Sequence, residues 1–525
     1  MATSYQSPGV YIEEVDRGPR PISGVATAVA AFVGFTKRAG KTEGSNDLLN
    51  KPQLITNWSQ FVDQFGGFTQ DAYLPDAVHG YFLNGGSRCY VVSVHVTESS
   101  SQTAASLRIP GANKQPVFRI EAKERGSRGN DVRIAIAHVP PEPADAGAEP
   151  QDAGLFDLKI SHDDVVENYP RVSAETVQVA TQASKLVTIT MEKPSGSLVE
   201  RRPTAGEAKL AGGSSKALPE AKTLMLGDVT ERTGIDGLRA LDDVTMVAVP
   251  DLMMAYQVGD IDLAGVKAIQ TAVLNHCESM KYRFAVLDAP SPPASPMPPQ
   301  KVETWRYDEA GFDSKFGALY YPWIEVADQS GSNGKNRLVP PCGHMAGLYA
   351  RVDGERGVHK APANEVVRGA VGLPVNVTKG EQEGLNPKGV NCIRSFPGRG
   401  IRVWGGRTLS SDPAWRYINV RRLFNYVEAS IEAGTQWVVF EPNNQDLWAR
   451  VARDLRAFLR GVWRSGALFG RTPEEAFYVK VDEENNPRES RDLGILNIEI
   501  GMAPTKPAEF VVITFTQWAG PNAEA

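Results

Sequence analysis

The 525-residue sequence contains only four cysteines and seven histidines, which limits the metal and redox chemistry that it can hold. Cys89, Cys277, Cys342 and Cys392 lie far apart, with no Cys-x-x-Cys pair. A zinc site needs clustered ligands and a disulfide framework is typical of short, cysteine-dense secreted chains, so we expect neither, and we expect reduced thiols instead. Cys342 and His344 would supply two zinc ligands with no others nearby, so a structural role is favoured for both.

Long hydrophobic runs and strong net charge are missing as well. The apolar run at residues 25–35 is too short and too rich in Ala and Gly to span a bilayer, and the region before it is acidic, unlike a signal peptide. A net charge of -6 implies no overall attraction to nucleic acid or to membranes. With 42% hydrophobic and 22% charged residues, the composition is typical of a globular chain, here long enough for two to four domains.

The strongest catalytic candidate is a glycine-rich segment that fails the spacing of a phosphate-binding loop. Gly34 and Gly40 precede Lys41 and Thr42, but five residues separate the glycines where the P-loop has four. No helix signal follows at residues 43–46, so the backbone amides would not face a phosphate. The sequence also lacks a Gly-x-Ser-x-Gly nucleophile motif. We therefore expect no enzymatic activity, no cofactor and no bound metal.

The first half of the sequence contains two kinds of segment, which differ in composition and in predicted secondary structure. Residues 57–65 and 77–83 predict helices closed by glycines, and residues 89–96 predict a strand. From residue 98 to 218, short strand candidates at 117–122, 132–139, 156–160 and 186–191 lie among polar loops, including a Pro- and Ala-rich loop at 140–153. This change predicts a β-rich insertion on the surface, with a mobile loop.

After the insertion, the pattern indicates a parallel crossover unit. Buried strands at 244–249 and 283–287 flank a helix at 265–280. Asp251 and Asp288 follow these strands at the edge where α/β sheets bind ligands. Because no His, Lys or glycine-rich loop follows either acid, we favour capping of turns or helices over catalysis.

Both ends of the chain carry strand patterns. Leu496, Ile498 and Ile500 alternate with polar residues, and residues 510–515 are apolar or β-branched on both faces. Pro504 and Pro507 favour an extended connection between these two segments. Such a final strand belongs either to its own sheet or to another molecule. The strand-forming residues at the two ends are Val10, Tyr11, Ile12, Val15, Phe510, Val512, Ile513, Phe515 and Trp518.

An amphipathic helix is predicted from Asn443 or Asn444, as N-cap, to about Arg460. Its apolar face contains Leu447, Trp448, Val451, Leu455, Phe458, Leu459 and Val462. Its opposite face contains Arg450, Arg453, Arg456, Arg460 and Arg464, with only Asp446 and Asp454 nearby. This face is either an ordinary solvated surface or a contact for an acidic partner.

The second half carries several specific motifs. They are Phe-Gly-Ala-Leu-Tyr-Tyr-Pro-Trp at 316–323, Val-Pro-Pro-Cys-Gly-His-Met at 339–345, Arg-Gly-Val-His-Lys-Ala-Pro-Ala-Asn at 356–364, Trp-Arg-Tyr-Ile-Asn-Val-Arg-Arg-Leu at 415–423 and Trp-Val-Val-Phe-Glu-Pro-Asn at 437–443. With Ser-Pro-Gly-Val-Tyr at 7–11 and the closing strands, the sequence closely resembles the contractile tail sheath protein family. That family includes phage tail sheaths and the sheaths of phage-tail-like contractile injection systems. The resemblance covers roughly residues 5–97 and 219–518 and leaves the insertion outside.

The resemblance implies a mixed α/β (α+β) fold with strand-donating arms at both ends. We expect an N-terminal arm at 1–24, a sheath α/β domain formed by 25–97 and 219–370, the inserted β-rich domain at 98–218, a C-terminal core domain at 371–500 and a C-terminal arm at 501–525.

The resemblance also implies a mechanical function. Sheath subunits form stacked hexameric rings around an inner tube, the arms complete a sheet in neighbouring subunits, and contraction drives the tube through a target envelope. The implied partners are other sheath subunits, the inner tube protein, and baseplate and terminator or cap proteins, with room for paralogous sheath proteins. We expect no nucleic-acid partner and no membrane insertion.

In sheath proteins a helix in the region of residues 444–464 lines the lumen, so the five arginines become the expected tube contact. We expect assembly in the cytoplasm, as part of a phage tail or of an injection particle that can be released. The alternatives are a non-contractile structural or binding module of a phage-like particle, and a P-loop NTPase.

Overall fold

The computed structural model describes residues 21–42, 45–97, 103–125, 127–140, 154–162, 165–192, 197–213, 218, 220–292, 295–330 and 336–514. The strands in these residues are β1 (Ala30–Thr36), β2 (Gln53–Ile55), β3 (Cys89–Val96), β4 (Ala104–Pro110), β5 (Pro116–Arg125), β6 (Arg133–His138), β7 (Phe156–His162), β8 (Val165–Val172), β9 (Val187–Met191), β10 (Gly206–Lys209), β11 (Met246–Ala248), β12 (Phe284–Asp288), β13 (Gly317–Tyr321), β14 (Ile324–Ala327), β15 (Asn336–Val339), β16 (Glu365–Val366), β17 (Ala370–Gly372), β18 (Val390–Phe396), β19 (Gly400–Val403), β20 (Phe477–Lys480) and β21 (Glu499–Met502).

The helices in the same residues are α1 (Trp58–Phe65), α2 (Leu74–Asn84), α3 (Val177–Ala180), α4 (Ala221–Leu226), α5 (Gly234–Gly237), α6 (Leu252–Val258), α7 (Leu263–Met280), α8 (Pro299–Thr304), α9 (Cys342–Arg356), α10 (Lys379–Leu385), α11 (Ile418–Thr435), α12 (Gln445–Arg464), α13 (Pro473–Ala476) and α14 (Arg488–Asp492). Short 3-10 and π-helical turns connect some of them.

A nine-stranded sheet forms the centre of the molecule, in the order β16-β19-β18-β13-β12-β11-β1-β3-β2. The six strands from β18 to β3 pair in parallel. Every residue of β1 is buried, as expected for a parallel strand whose sheet is covered on both faces. The predicted crossover unit is confirmed, because β11 and β12 pair in parallel with α6 and α7 between them.

Two helices from distant parts of the sequence, α2 and α9, pack on each other and on this sheet. Gly343 and Gly347 permit their close approach. A Cβ atom on Gly343 would lie 2.2 Å from the carbonyl oxygen of Ala77, and one on Gly347 would lie 2.3 Å from that of Tyr81. The backbone of α9 therefore rests directly on the backbone of α2.

The insertion forms two antiparallel sheets with their own apolar core. Their strand orders are β10-β6-β7-β8 and β4-β5-β9. Phe118, Ile134, Phe156 and Ile189 belong to this core, which is separate from the core around the central sheet. The four predicted strands are confirmed as β5, β6, β7 and β9, whereas β4, β8 and β10 were not predicted. Most of the Pro- and Ala-rich loop, residues 141–153, lies outside the described residues.

A third core lies in the C-terminal part, where α11 and α12 pack with β20 and β21. β21 pairs antiparallel with β20, and the predicted inward residues Leu496, Ile498 and Ile500 pack on this core. The regular strand is shorter than the pattern suggested, because it begins only at Glu499.

Residues 371–409, which we assigned to the C-terminal domain, pack with the central sheet. β18 and β19 are strands of that sheet, and its apolar cluster includes Val390, Ile393, Val403 and Leu409. The third core contains Val358 and then residues of α11 and the elements that follow it. The other domain limits stay predictions.

Candidate functional site

The amphipathic helix of the sequence analysis is α12. Its first N–H groups are capped by Asn444, whose side-chain oxygen accepts a hydrogen bond from Leu447 N at 2.9 Å. It continues past the expected end at Arg460, because Val462 is still buried against the third core. The helix ends at Arg464, and Gly466, with φ at +83°, follows two residues later.

The two faces of α12 differ as predicted. Six of the seven apolar residues are buried and Phe458 is half-buried. All five arginines are exposed: Arg450, Arg453, Arg456, Arg460 and Arg464. The structure therefore confirms that these side chains share the solvent-facing side, while their contact with a tube stays a prediction.

The surroundings of the arginines are less purely basic than the sequence suggested. Arg450 lies 3.8 Å from Glu441, an acid in the loop before the helix, and Arg453 lies 3.2 Å from Asp454. Arg456 donates a hydrogen bond to the carbonyl oxygen of Val479 at 3.0 Å. For Arg460 and Arg464, the described part of the chain shows no ion pair or hydrogen bond of the side chain. The positive charges of Arg460 and Arg464, at the C-terminal end of α12, are therefore the most accessible ones on this face.

The C-terminal arm leaves the body at a carboxylate that four donor groups surround. Glu509 accepts hydrogen bonds from Nε and Nη2 of Arg407, both at 2.8 Å, from Nδ2 of Asn386 at 2.7 Å and from the Tyr417 hydroxyl at 3.0 Å. Burial alone would raise the pKa of Glu509, but the hydrogen bonds from Arg407 and Asn386 outweigh it and hold the pKa below its usual value. We call these four residues the Glu509 clamp.

Beyond the clamp, the apolar side chains point into solvent. Phe510, Val511, Val512 and Ile513 are 69% to 87% exposed, and no strand forms at these positions. Four consecutive exposed apolar residues are unusual in a folded chain. Of the predicted arm residues, Phe510, Val512 and Ile513 are described here. Val10, Tyr11, Ile12, Val15, Phe515 and Trp518 lie outside the described residues.

The first described residues run along α11. Val25 N donates to Ser430 Oγ at 3.1 Å, and Thr27 Oγ1 donates to Asp353 Oδ2 at 2.6 Å. Asp353 also forms a buried ion pair with Arg422 of α11, at 2.6 Å. This pair joins α9, α11 and the N-terminal segment at one point.

The sheet of β20 and β21 has only two strands in the described part of the chain. Within the described residues, each of these strands pairs only with the other. One outer group of β20, the carbonyl oxygen of Val479, already accepts a hydrogen bond from Arg456, and residues 503–505 bond to residues 467–469 just after β21. Along the rest of the two edges, no further strand pairs with the sheet in the described part of the chain.

Asp251 and Asp288 act as caps, and the helices that they cap are distant in sequence. Oδ2 of Asp251 accepts a hydrogen bond from Leu74 N at 3.2 Å at the start of α2, and it also accepts one from Phe35 N. Oδ1 of Asp288 accepts from Cys342 N at 2.8 Å, at the start of α9. Burial raises the pKa of each aspartate to about 7. The two strand-end acids thus fix the two helices that pack on the sheet.

The remaining catalytic candidates have structural partners. In the glycine-rich segment, Gly40 N donates to Gln64 O and Arg38 N to Phe65 O, so these amides hold the end of α1. Cys342 is buried at the start of α9, and burial lowers the pKa of His344 to about 3. Across the described ranges, no group of three or more His, Cys, Asp and Glu residues could hold a metal ion. A search of the same ranges finds no helix that could span a membrane.

Sequence reasoning missed the Glu509 clamp. Its only signal was an isolated glutamate at the start of an apolar run, and its partners come from three distant segments. The exposed tip of the loop before α12 was also missed: Phe440 is fully exposed, with φ at +67°.

Profiles of known families match most of the second half of the chain. The "Phage tail sheath protein central domain" matches residues 230–409, and the "Phage tail sheath C-terminal domain" matches residues 410–517. The two matches together cover more than half of the chain. It belongs to the tail sheath protein family. The limit between the two profiles lies between β19, the last strand of the central sheet, and α11, and the insertion lies before both.

Individual sheath proteins support the assignment. A prophage major tail sheath protein of Pseudomonas aeruginosa (strain UCBPP-PA14) is 29% identical over 327 residues, which is 58% of this chain and 76% of the relative. The tail sheath protein of Vibrio phage KVP40 is 28% identical over 187 residues, 35% of this chain and 27% of the relative.

Solved sheath structures match along nearly the whole chain. The sheath complex of the extracellular contractile injection system PVC, in its contracted state, is 25% identical with a TM-score of 0.60 and covers 99% of both chains. The contracted helical sheath of the anti-feeding prophage is 27% identical with a TM-score of 0.57, covering 98% of this chain and all of that one. These sheath relatives give the chain a structural role, as a subunit of a contractile sheath.

Proposed function

We propose that this chain polymerises as hexameric rings around an inner tube and that the resulting sheath contracts to drive the tube through a target envelope. Two similar structures are sheaths in the contracted state, and a third is a baseplate with 6-fold symmetry imposed, 26% identical with a TM-score of 0.56. The proposed partners are other copies of the chain, the inner tube protein, baseplate proteins and a cap. Assembly in the cytoplasm and the absence of enzymatic activity are part of this proposal.

The observation that supports it is an exposed apolar segment near the C-terminus in a chain that also has a two-stranded sheet. Residues 510–513 are apolar and exposed, and no third strand joins the β20–β21 sheet within the described residues. A strand that adds to a neighbour's sheet buries its apolar side chains and satisfies its backbone groups by hydrogen bonds. Such links hold while the bodies that they join rotate and repack, as contraction requires.

Truncation of the arms tests the proposal. Removing residues 510–525, or residues 1–20, should leave a soluble body that melts within a few degrees of the full chain, because the lost hydrogen bonds are between molecules. Negative-stain micrographs of the full chain, produced with its tube protein, should show striated tubes, and those of both truncated chains should show none.

Three results would contradict it. If either truncation unfolds the isolated chain, the removed strand belongs to the chain's own core. Tubes that form but never shorten would instead support the alternative of a non-contractile structural module. Magnesium-dependent ATP hydrolysis by the isolated protein would favour the NTPase alternative.

A further inference from the structure

Hydrogen bonds attach the chain to the third core for a short distance after β21. Thr505 N donates to Ala467 O at 3.0 Å, and Thr505 Oγ1 donates to Gly466 O at 3.0 Å. Thr505 O accepts a hydrogen bond from Nδ2 of Asn419, on α11, at 3.2 Å. Thr505 is therefore the last residue that the third core holds directly.

The next three residues cross a groove. Residues 506–508 form no hydrogen bonds within the described part of the chain, and Lys506 and Ala508 are exposed. They line one wall of a groove of about 1340 Å³, whose other wall is made by residues 356–365, 379–387 and 404–407. We call residues 506–508 the strap. It is held at its two ends, by Thr505 and by Glu509, and not along its length.

The outer end of the strap is held by charge and geometry together. Arg407 presents its guanidinium edge to both oxygens of Glu509, the bidentate arrangement that makes the strongest carboxylate hydrogen bonds. The Arg407 and Glu509 side chains are 11% and 17% exposed, so water still reaches the pair. The attachment is thus specific in direction but open to exchange with solvent, unlike the sealed Arg422–Asp353 pair.

We propose that Glu509 and Arg407 are positioning residues that set where the C-terminal arm leaves the body, with the strap as a reserve of arm length. While the clamp is closed, the free arm begins at Phe510. When it opens, the free arm begins at Lys506, and four more residues lengthen its reach by up to about 13 Å. This inference rests on the proposed function, in which the arm is lent to a neighbouring copy.

The reserve matches a need of contraction. Neighbouring bodies change their separation while the donated strand must keep its pairing. A tether of fixed length would pull the strand out of register or hold the bodies back. If the clamp opens before the donated strand unpairs, the same strand pairing can be kept at both separations of the bodies.

Spin labels on the purified full-length chain test the clamp before any assembly. The four native cysteines are all buried, so single exposed sites can be labelled selectively. A label on Ala508→Cys reports the strap, a label on Val512→Cys reports the free arm, and Lys379→Cys on α10 provides a reference on the body. The test backgrounds are Glu509→Ala and Arg407→Lys. Glu383→Gln is the matched control, because Glu383 lines the same groove and is not part of the clamp.

We expect the label at 508 to be restricted in the otherwise native chain and to move at least 3-fold faster in Glu509→Ala. The distribution of distances between labels at 379 and 512 should broaden by about half, since the tether to residue 512 grows from three residues to seven and its spread grows with the square root of length. In Arg407→Lys, the label mobility and the spread of distances should lie between those of the native background and those of Glu509→Ala, because lysine cannot form the bidentate pair.

Several outcomes would overturn the proposal. One is a strap label that is as mobile as the arm label in the native background. Another is an unchanged label in Glu509→Ala with an unchanged circular dichroism spectrum. Equal loosening by Glu383→Gln would show that the effect is not specific to the clamp. These measurements do not depend on polymerisation, so failure of the truncation experiment would reject the sheath proposal and leave the clamp result standing.

Discussion

At the scale of single residues, the buried aspartates make the stability of the central domain depend on pH. Asp251 and Asp288 have pKa values raised to about 7 by burial, and burial raises that of Asp76 to about 6 against the opposing effect of Arg337. The folded state therefore holds protons that the unfolded chain releases near pH 4. The stabilisation from this effect is complete below pH 4 and is lost as the pH rises towards 7.

Replacing Asp288 with Asn removes one of these protonation sites while keeping an oxygen to cap α9. The free energy of unfolding of Asp288→Asn, measured with denaturant, should fall less between pH 5 and pH 7.5 than that of the native chain. The difference in slope should be on the order of 1 kcal/mol per pH unit, since one pKa unit corresponds to about 1.4 kcal/mol.

Asp262→Asn is the matched control for cap chemistry, because Asp262 caps the exposed start of α7. It alters a cap without removing a buried carboxyl group. Parallel pH curves for Asp288→Asn and the native chain would show that Asp288 does not retain a proton in the fold.

Composition and spacing placed Asp251 and Asp288 correctly at strand ends and favoured capping over catalysis. They could not show which helices are capped. The receiving N–H groups belong to Leu74 and Cys342, which the fold brings to the two acids from 177 and 54 residues away. The Glu509 clamp was hidden for the same reason, since a carboxylate and its donors share a site without sharing a sequence pattern.

At the scale of elements, the α2–α9 contact depends on the absence of side chains. Gly347→Ala would place a methyl group against the Tyr81 backbone, and the helices would have to separate. We expect a loss of about 1–3 kcal/mol, the usual effect of overpacking, seen as a lower melting temperature of the central domain.

The control lies on the same helix. Gly354 has open space around its Cβ position, so Gly354→Ala should gain up to about 1 kcal/mol from helix propensity. If both substitutions shift the melting temperature in the same direction, the close approach of α2 and α9 is not what limits stability.

The arginine face of α12 supports a prediction about assembly. Arg453→Glu combined with Arg460→Glu should abolish sheath formation on tubes and leave the fold intact, because both side chains are exposed. Each ion pair with an acidic tube would contribute only about 0–1 kcal/mol, so the contact works through repetition and should weaken with salt.

The double variant Arg471→Glu with Arg488→Glu makes the same change in net charge at exposed sites outside α12. It should assemble normally. Normal co-assembly of the α12 variant at low salt would show that this face is not the tube contact.

The elements themselves were largely predictable. The 3.6-residue period of α12 and the glycine stop after α1 have local causes, and both helices form as expected. The strands β8 and β10 were missed because one contains a proline and the other is short and polar. Both lie at the edges of their sheet, where an apolar pattern is not needed.

At the scale of the whole molecule, the insertion has its own core and its own sheets. We expect it to lie on the outside of the sheath, so shortening the loop at residues 140–153 to a few Gly and Ser residues should leave polymer formation unchanged. The measurement is the number and length of tubes in micrographs. Loss of tubes from a chain that still melts normally would place this loop in an assembly contact.

The strand order has a consequence for how the chain folds as it is made. β1 lies inside the central sheet, and one of its two neighbours, β11, is synthesised more than 200 residues later. The sheet also needs β18, whose last residue is Phe396. A ribosome must therefore complete three quarters of the chain before the largest core can close. The insertion, with all its strands between residues 104 and 209, can fold during this interval. In pulse proteolysis of stalled nascent chains, the insertion should become resistant to the protease first, before β1 can pair with β11.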